Sequence, residues 1–162
     1  MAPYEDDDGG QLILCSRNNV LYPDPNDRWY KGLANTGIAE ALKMTYQESS
    51  FEFALQGELV GPGIQRNHEN HDDYMIYLFA IWDVRNQCYL PFPRFLDFVQ
   101  TLNLYSGFST GKPVFHTPVL DYVNLSQFPD VKSYLDYAEN IESPFSKNPE
   151  GVVFHSLSLI HI

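Results

Sequence analysis

The apolar run from Tyr74 to Val84, "YMIYLFAIWDV", constrains the fold more than any other part of the chain. Nearly every position in it is apolar, so it lacks the alternation of a strand that keeps one face in water. Strands of this kind lie at the centre of a sheet, where both of their faces are covered. We therefore expect residues 74–84 to form a central strand that is buried on both faces.

The sequence before this run predicts two strands and a helical region. "GGQLILCSRN" begins with a Gly-Gly turn and continues as a short apolar strand that ends near Arg17. From Asp27 the apolar residues follow helical spacing, with a possible break at residues 35–37. "SFEFALQGELVG" alternates apolar and polar residues, which predicts a strand from Phe51 towards Gly61.

The sequence after the run predicts two helices and two short strands. "PFPRFLDFVQTLNL" opens with prolines and has apolar residues at helical spacing. "TPVLDYV" is typical of a short strand, and "FPDVKSYLDYAENI" of a helix whose apolar face holds Val131, Leu135 and Ala138. A last strand is expected from Gly151 to Phe154. This order of elements, with hairpin-like neighbours, predicts an α+β fold in which helices flank largely antiparallel sheets.

Composition excludes several classes of protein. Twenty-one acidic residues against ten basic ones give a net charge of −11, which opposes a general nucleic-acid coat, since phosphate binding needs clustered Lys and Arg. No apolar stretch approaches the ~18 residues of a membrane span, and the acidic N-terminus lacks the features of a signal peptide. Cys15 and Cys88 are expected to be buried, reduced thiols, which suits an intracellular location, cytoplasmic or nuclear.

Three polar signals accompany the strands. Arg17 ends the first strand, Glu58 precedes a Gly-Pro-Gly turn, and Glu150 opens the last strand. An arginine at a strand end can bind phosphate with two hydrogen bonds, and a carboxylate beside a tight turn can accept from ribose hydroxyls or hold a metal-bound water. Between them lies the aromatic run with Phe79, and a ring that stacks on a base contributes about 1–3 kcal/mol.

Four segments, "CSRNN", "GELVGPGIQ", "FAIWD" and "EGVVF", resemble in that order the ATP-dependent RNA ligases, which are covalent nucleotidyltransferases related to DNA ligases and mRNA capping enzymes. The resemblance extends from Gln11 to Phe154. It implies that residues 11–156 form a partial nucleotidyltransferase domain, preceded by an acidic extension, residues 1–10, and followed by an unassigned tail, residues 157–162.

The resemblance also implies a reaction and roles for four residues. In the family a lysine of a Lys-x-Asp-Gly motif attacks the α-phosphate of ATP, and the resulting lysyl-AMP serves a Mg²⁺-dependent joining of 5′-phosphate and 3′-hydroxyl RNA ends. By motif position Arg17 would contact the donor phosphate or ribose, and Glu58 would bind the AMP ribose. Phe79 would stack on adenine, and Glu150 would support a divalent metal or the lysine.

The chain departs from the family at three places. It contains no Lys-x-Asp-Gly motif, it has no later strand with two lysines, and Ala80 stands where the family usually has an aspartate. An amine nucleophile cannot be replaced by carboxylates in forming a phosphoramidate. We therefore expect an incomplete copy, from a truncated gene model or a decayed gene, that is inactive alone and binds no cofactor tightly. RNA ends would be partners of the complete domain.

Other interpretations stay open. The chain could be a non-catalytic module that binds nucleotides or RNA ends, or an acidic interaction domain. Glu58 could face solvent, Arg17 could pair with an acid, Glu150 could only flank a turn, and Phe79 could pack in the core. Trp82 is expected in the core. Histidines and acids in "NHENHDD", residues 67–73, could bind a transition metal, but a polar surface loop is preferred because no helix fixes the imidazoles.

Overall fold

The computed structural model describes residues 12–49, 52–67, 70–142 and 151–155. Within these ranges the chain forms helices and strands in the order α1 (Arg28–Asn35), α2 (Ile38–Ser49), β1 (Phe53–Val60), β2 (Met75–Asp83), β3 (Cys88–Tyr89), α3 (Phe92–Ser109), β4 (Phe115–His116) and α4 (Val131–Asn140). The predicted α+β class is confirmed. None of the described helices is long and apolar enough to cross a membrane.

Strand β2 is the centre of the sheet, as its sequence predicts. It pairs antiparallel with β1 on one side. On its other side it pairs antiparallel with β3 and parallel with the two-residue β4. The sheet is therefore largely antiparallel. The expectation that β2 is buried on both faces is wrong, since the Phe79 side chain is 37% exposed.

The predicted break between the first two helices is confirmed. The side chain of Asp27 accepts a hydrogen bond from the backbone N–H of Trp29 and so caps the start of α1. Helix α1 ends where the backbone N–H of Thr36 donates to the carbonyl of Leu33. Gly37 then begins the turn into α2, and its N–H donates to the carbonyl of Pro113 at 3.1 Å. The break thus contacts a distant segment of the chain.

The hydrophobic core lies between one face of the sheet and helices α1 to α3. Full burial of an aliphatic or phenyl side chain contributes about 1.5–3 kcal/mol, so this layer carries most of the stability. Its buried members come from α2, α3, the two long strands and the segment before β4, namely Ile38, Ala41, Leu59, Ile76, Leu78, Ile81, Phe95, Val99, Leu102 and Val114.

Three predicted strands differ from the structure. Within residues 12–17 the expected first strand is reduced to a single bridge between Cys15 and Val20. The strand expected in "TPVLDYV" lies earlier, at β4, where two residues pair with β2. Residues 151–155 form no strand. In each case the local apolar pattern is present, but a partner strand does not run alongside it among the described residues.

Helix α4 buries a different face from the one predicted. Val131 and Leu135 are 74% and 58% exposed, so they do not form its inner face. Its tyrosines pack instead: Phe128 stacks on Tyr134 at 4.5 Å and meets Tyr137 edge-on at 5.3 Å between ring centroids. The expectation that Cys15 and Cys88 are buried is also wrong, because both are exposed, as free thiols.

Candidate functional site

The face of the sheet turned away from helices α1 to α3 carries both polar side chains of β1, Gln56 and Glu58. Glu58 lies directly opposite Tyr77 in the pairing of β1 with β2. Its neighbours Gly57 and Leu59 point to the core face, because successive side chains of a strand alternate. We call this second face the open face, and its members on the three antiparallel strands are Ala54, Gln56, Glu58, Val60, Met75, Tyr77, Phe79, Ala80, Trp82 and Tyr89.

A β-bulge in β2 places Phe79 on the open face. Gln56 pairs with Ala80, whereas the next residue, Gly57, pairs with Leu78, so Phe79 is an extra residue in β2. A bulge lets two successive side chains lie on the same side of a sheet, and here these are Phe79 and Ala80. Because Phe79 is 37% exposed and lies outside the core cluster, core packing does not account for it.

The Gly-Pro-Gly turn fixes the position of Glu58 relative to β2. Gly61 and Gly63 have φ values of +138° and +74°, which residues other than glycine rarely adopt. A Cβ atom added at Gly61 would lie 2.8 Å from the carbonyl oxygen of Asp73. The chain therefore returns to β2 in close backbone contact, which holds Glu58 opposite Tyr77. Glu58 itself is exposed on this face.

The "NHENHDD" loop places His71 beside Tyr77 on the open face, a contact that no pattern in the sequence predicted. The His71 ring lies 5.6 Å from the Tyr77 ring, which in turn lies 5.4 Å from Phe115. Asn67 holds the loop, since its side chain donates to the carbonyl of His71 and accepts from the backbone N–H of the same residue. His68 lies outside the described residues. Within the described ranges no three His, Cys, Asp or Glu side chains come together as a metal site.

An aromatic pair lies on the open face beyond the bulge. Trp82 meets Tyr89 of β3 edge-to-face, with ring centroids 4.9 Å apart and an interplanar angle of 75°. The hydroxyl of Tyr89 lies 3.1 Å from Gln56 Nε2. We call Gln56, Trp82 and Tyr89 the aromatic platform. The expectation that Trp82 belongs to the core is wrong, because its cross-strand partners Ala54 and Tyr89 are both on the exposed side.

Asp83 fixes the turn that joins β2 to β3. Its side chain is buried, and its carboxylate accepts from the backbone N–H of Asn86 at 2.9 Å and from the side-chain amide of the same residue at 2.7 Å. These two hydrogen bonds, the backbone one first, lower the pKa of Asp83 below its ordinary value. The ionised carboxylate thus holds the turn that brings Tyr89 beside Trp82.

We expect the stability that Asp83 contributes to be lost in acid. Since the folded-state pKa is below the ordinary value of 3.8, the contribution is complete above that value and disappears as the pH falls through the folded-state pKa. The melting temperature of an Asp83→Asn variant should therefore lie below that of the wild type at neutral pH. The difference between the two melting temperatures should become smaller below a pH of about 4. Thermal melts across this range test it, and a gap of constant size would contradict the prediction.

The contacts described above do not link Arg17 or Glu150, two of the predicted site residues, to Glu58. Arg17 lies in a tight turn closed by a hydrogen bond from the N–H of Ser16 to the carbonyl of Asn19. The hydroxyl of Tyr30 attaches this hairpin to α1 by donating to the carbonyl of Leu21. Helix α1 packs on the core side of the sheet. Glu150 lies outside the described residues. The site roles of Arg17 and Glu150 therefore stay predictions.

Comparison with known proteins settles the family. The family model described as RNA ligase matches residues 3–159. The chain belongs to the RNA ligase family. This confirms the resemblance of its four segments to that family, and the fold of the solved relatives agrees with the α+β architecture. No curated protein sequence matches the chain.

Solved structures of Naegleria gruberi RNA ligase are similar to this RNA ligase family member. A lysine-to-alanine mutant with ATP and Mn is 28% identical, with a TM-score of 0.66, over 85% of this chain and 38% of that chain. Another such mutant with ATP and Mn is 30% identical, with a TM-score of 0.63, over 76% and 34% of the two chains. A glutamate-to-alanine mutant with AMP and Mn is 29% identical, with a TM-score of 0.62 and the same coverages of 76% and 34%. The chain spans about a third of the length of these ligases.

Proposed function

We propose that this chain forms the adenosine-binding wall of an ATP-dependent RNA ligase, which joins 5′-phosphate and 3′-hydroxyl RNA ends through a lysyl-AMP intermediate. The observation that carries the proposal is that Glu58 and the exposed ring of Phe79 share the open face. The similar Naegleria gruberi ligase structures contain ATP or AMP with Mn, which supports a nucleotide and a divalent metal as cofactors.

The spacing of the two residues suits one nucleoside. Phe79 is two residues from Tyr77, the cross-strand partner of Glu58. Residues two apart in a strand are about 6–7 Å apart, and neighbouring strands about 4.8 Å. The Phe79 ring would stack on adenine, while the Glu58 carboxylate, which only accepts hydrogen bonds when ionised, would take one from a ribose hydroxyl. A charged acceptor makes this hydrogen bond stronger than a neutral one.

The described residues do not supply a metal site, so no metal-dependent step is assigned to them. In the complete enzyme Mg²⁺ would stabilise charge on the phosphates. We propose Glu150 as a metal-supporting or lysine-supporting carboxylate and Arg17 as a contact to the donor phosphate or ribose, both by motif position.

Since both cysteines are exposed free thiols, which suits a reducing compartment, we also propose an intracellular location.

The missing Lys-x-Asp-Gly motif favours a second candidate function for the chain by itself. Without that motif the chain would bind a nucleotide or an RNA end but would not form the covalent intermediate. The two functions share the open face and differ only in chemistry. A third candidate, an acidic interaction domain, needs no nucleotide at all.

Replacing Glu58 by alanine is expected to weaken AMP binding by about tenfold or more. Hydrogen bonds to charged groups contribute about 1.5–3 kcal/mol, and this one would be lost without a substitute. Isothermal titration calorimetry of AMP with both proteins measures the change. Glu52→Ala is the matched control, because Glu52 is an exposed carboxylate just before β1. Equally weak binding, millimolar or worse, by the wild type and Glu58→Ala would favour the interaction domain.

A further inference from the structure

The aromatic platform of Gln56, Trp82 and Tyr89 is adjacent to the proposed adenosine site and has no part in it. Trp82 and Tyr89 are cross-strand partners on the open face, and Tyr89 is 48% exposed. Tyr89 thus keeps nearly half of its surface in water despite its edge-to-face contact with Trp82. Exposed aromatic surface costs free energy unless a ligand covers it. The platform is therefore a candidate binding surface.

A hydrogen bond across the central strand fixes the platform. Gln56 is on β1 and Tyr89 on β3, so the bond between Gln56 Nε2 and the Tyr89 hydroxyl passes over β2. The β2 residue opposite Gln56 is Ala80, whose methyl group leaves room for this bond. This is the position where the family usually has an aspartate. The Tyr89 hydroxyl lies 3.1 Å from Nε2 and 3.2 Å from Oε1 of Gln56, but an amide has two N–H groups and two oxygen lone pairs, so it can also bind a polar ligand.

We propose that the aromatic platform binds an unpaired base of the RNA end that reacts at the adenosine site. The proposal rests on the proposed function, because it places the RNA beside the nucleotide held at Glu58 and Phe79. Every base has an aromatic face, so stacking on Tyr89 or Trp82 tolerates any sequence. Trp82 is three residues from Phe79, about 10 Å along the strand. Bases splayed out from a single strand can occupy rings at such a separation.

Charge and area favour RNA over a protein partner. Arg85 is exposed in the turn that joins β2 to β3, where its charge also acts on the Asp83 carboxylate, in a chain whose net charge is −11. It supplies a local positive charge of the kind that a phosphate needs. A stable protein interface buries about 800 Å² per partner, whereas each aromatic side chain buries at most about 150–250 Å². Two rings and an amide suit one base with its hydrogen-bonding edge.

Binding of a short, dye-labelled, single-stranded RNA with a 5′-phosphate tests the proposal. Fluorescence anisotropy is measured with the 162-residue chain and three variants, Tyr89→Ser, Tyr89→Phe and Phe108→Ser. Tyr89→Ser should weaken RNA binding about fivefold or more, since it removes a stacking ring, while Tyr89→Phe keeps the ring, loses only the bond to Gln56 and should therefore lose less affinity than Tyr89→Ser. Phe108 is 84% exposed near the end of α3, so Phe108→Ser is the matched control and should change nothing.

A parallel AMP titration separates this proposal from the proposed function. Tyr89→Ser should leave AMP affinity unchanged, and thermal melting checks that it folds. If Glu58→Ala loses AMP while wild type and Tyr89→Ser bind RNA equally, the platform proposal is overturned and the adenosine site stands. If Glu58→Ala has no effect on AMP but Tyr89→Ser loses RNA, the platform stands and the adenosine site fails. The platform proposal is also overturned if the wild type binds no RNA. It is overturned as well if the wild type forms a dimer that Tyr89→Ser abolishes while RNA binding stays unchanged.

Discussion

Incubation of this chain with labelled ATP and a divalent metal is expected to yield no covalent protein–AMP. None of its five lysines is followed by x-Asp-Gly. The contacts of two of them agree with this: the ammonium of Lys112 donates to the carbonyl of Ala34, and that of Lys132 pairs with Asp136 at 2.8 Å. A lysine nucleophile must present a free amine to the α-phosphate, whereas these two side-chain nitrogens are held in hydrogen bonds.

The measurement is a denaturing gel after acid quenching, with an RNA ligase that carries Lys-x-Asp-Gly as the positive control. A labelled band from this chain that survives denaturation would contradict the prediction. Lys→Ala variants would then locate the nucleophile, and the assignment of the chain as a binding wall would have to be abandoned. A chain that binds AMP but forms no adduct agrees with the proposed division between binding and chemistry.

The elements with a strong period were predictable from the sequence. Alternation along "SFEFALQGELVG" predicts β1, and helical spacing after Asp27 predicts α1 and α2 with the break between them. These patterns are informative because an element that buries one face against a single neighbouring layer repeats its apolar residues at its own structural period, which differs between a strand and a helix. Glu58 was identified by its motif, and its position on the open face is a consequence of the same alternation.

The bulge at Phe79 could not be predicted, because it is a mismatch between two strands and leaves no mark in either. Without it, a strict alternation from Leu78 would put Ala80 in the core and Ile81 on the open face. The structure has the reverse, with Ile81 fully buried. Trp82 was expected in the core because the whole strand was expected to be buried on both faces. Tyr89 was missed because β3 has only two residues, too few to show a period.

The inner face of α4 was misjudged for a chemical reason. Spacing selected the aliphatic residues Val131, Leu135 and Ala138 and left the tyrosines of the helix without a role. Tyrosine can bury its ring while its hydroxyl finds a partner. Tyr137 does this, since its hydroxyl donates to Asp121 at 2.7 Å while its ring packs against Phe128. The partners come from an irregular segment whose position no periodic pattern specifies.

Replacing Gly37 by alanine is expected to lower the free energy of unfolding by about 3 kcal/mol, at the upper end of overpacking costs. A Cβ atom there would overlap the hydroxyl oxygen of the fully buried Ser106 and press on the backbone carbonyl of Lys112. Ser106 cannot rotate away without cost, because its hydroxyl already donates to that carbonyl. Relief therefore requires the α1–α2 turn to move away from α3. Urea denaturation followed by circular dichroism measures the loss.

Gly107→Ala is the matched control, one residue beyond Ser106 in the same helix. Outside its chain neighbours and its own helix backbone, no described atom lies within 4 Å of the Cβ position at Gly107, so alanine meets open space. Alanine is favoured over glycine in a helix by about 0.8–1.0 kcal/mol, and Gly107→Ala should therefore stabilise the chain. The same substitution at two glycines thus has opposite expected signs. If Gly37→Ala unfolds at the same urea concentration as the wild type, the turn does not pack on α3, and the arrangement of α1 and α2 over the sheet would have to be revised.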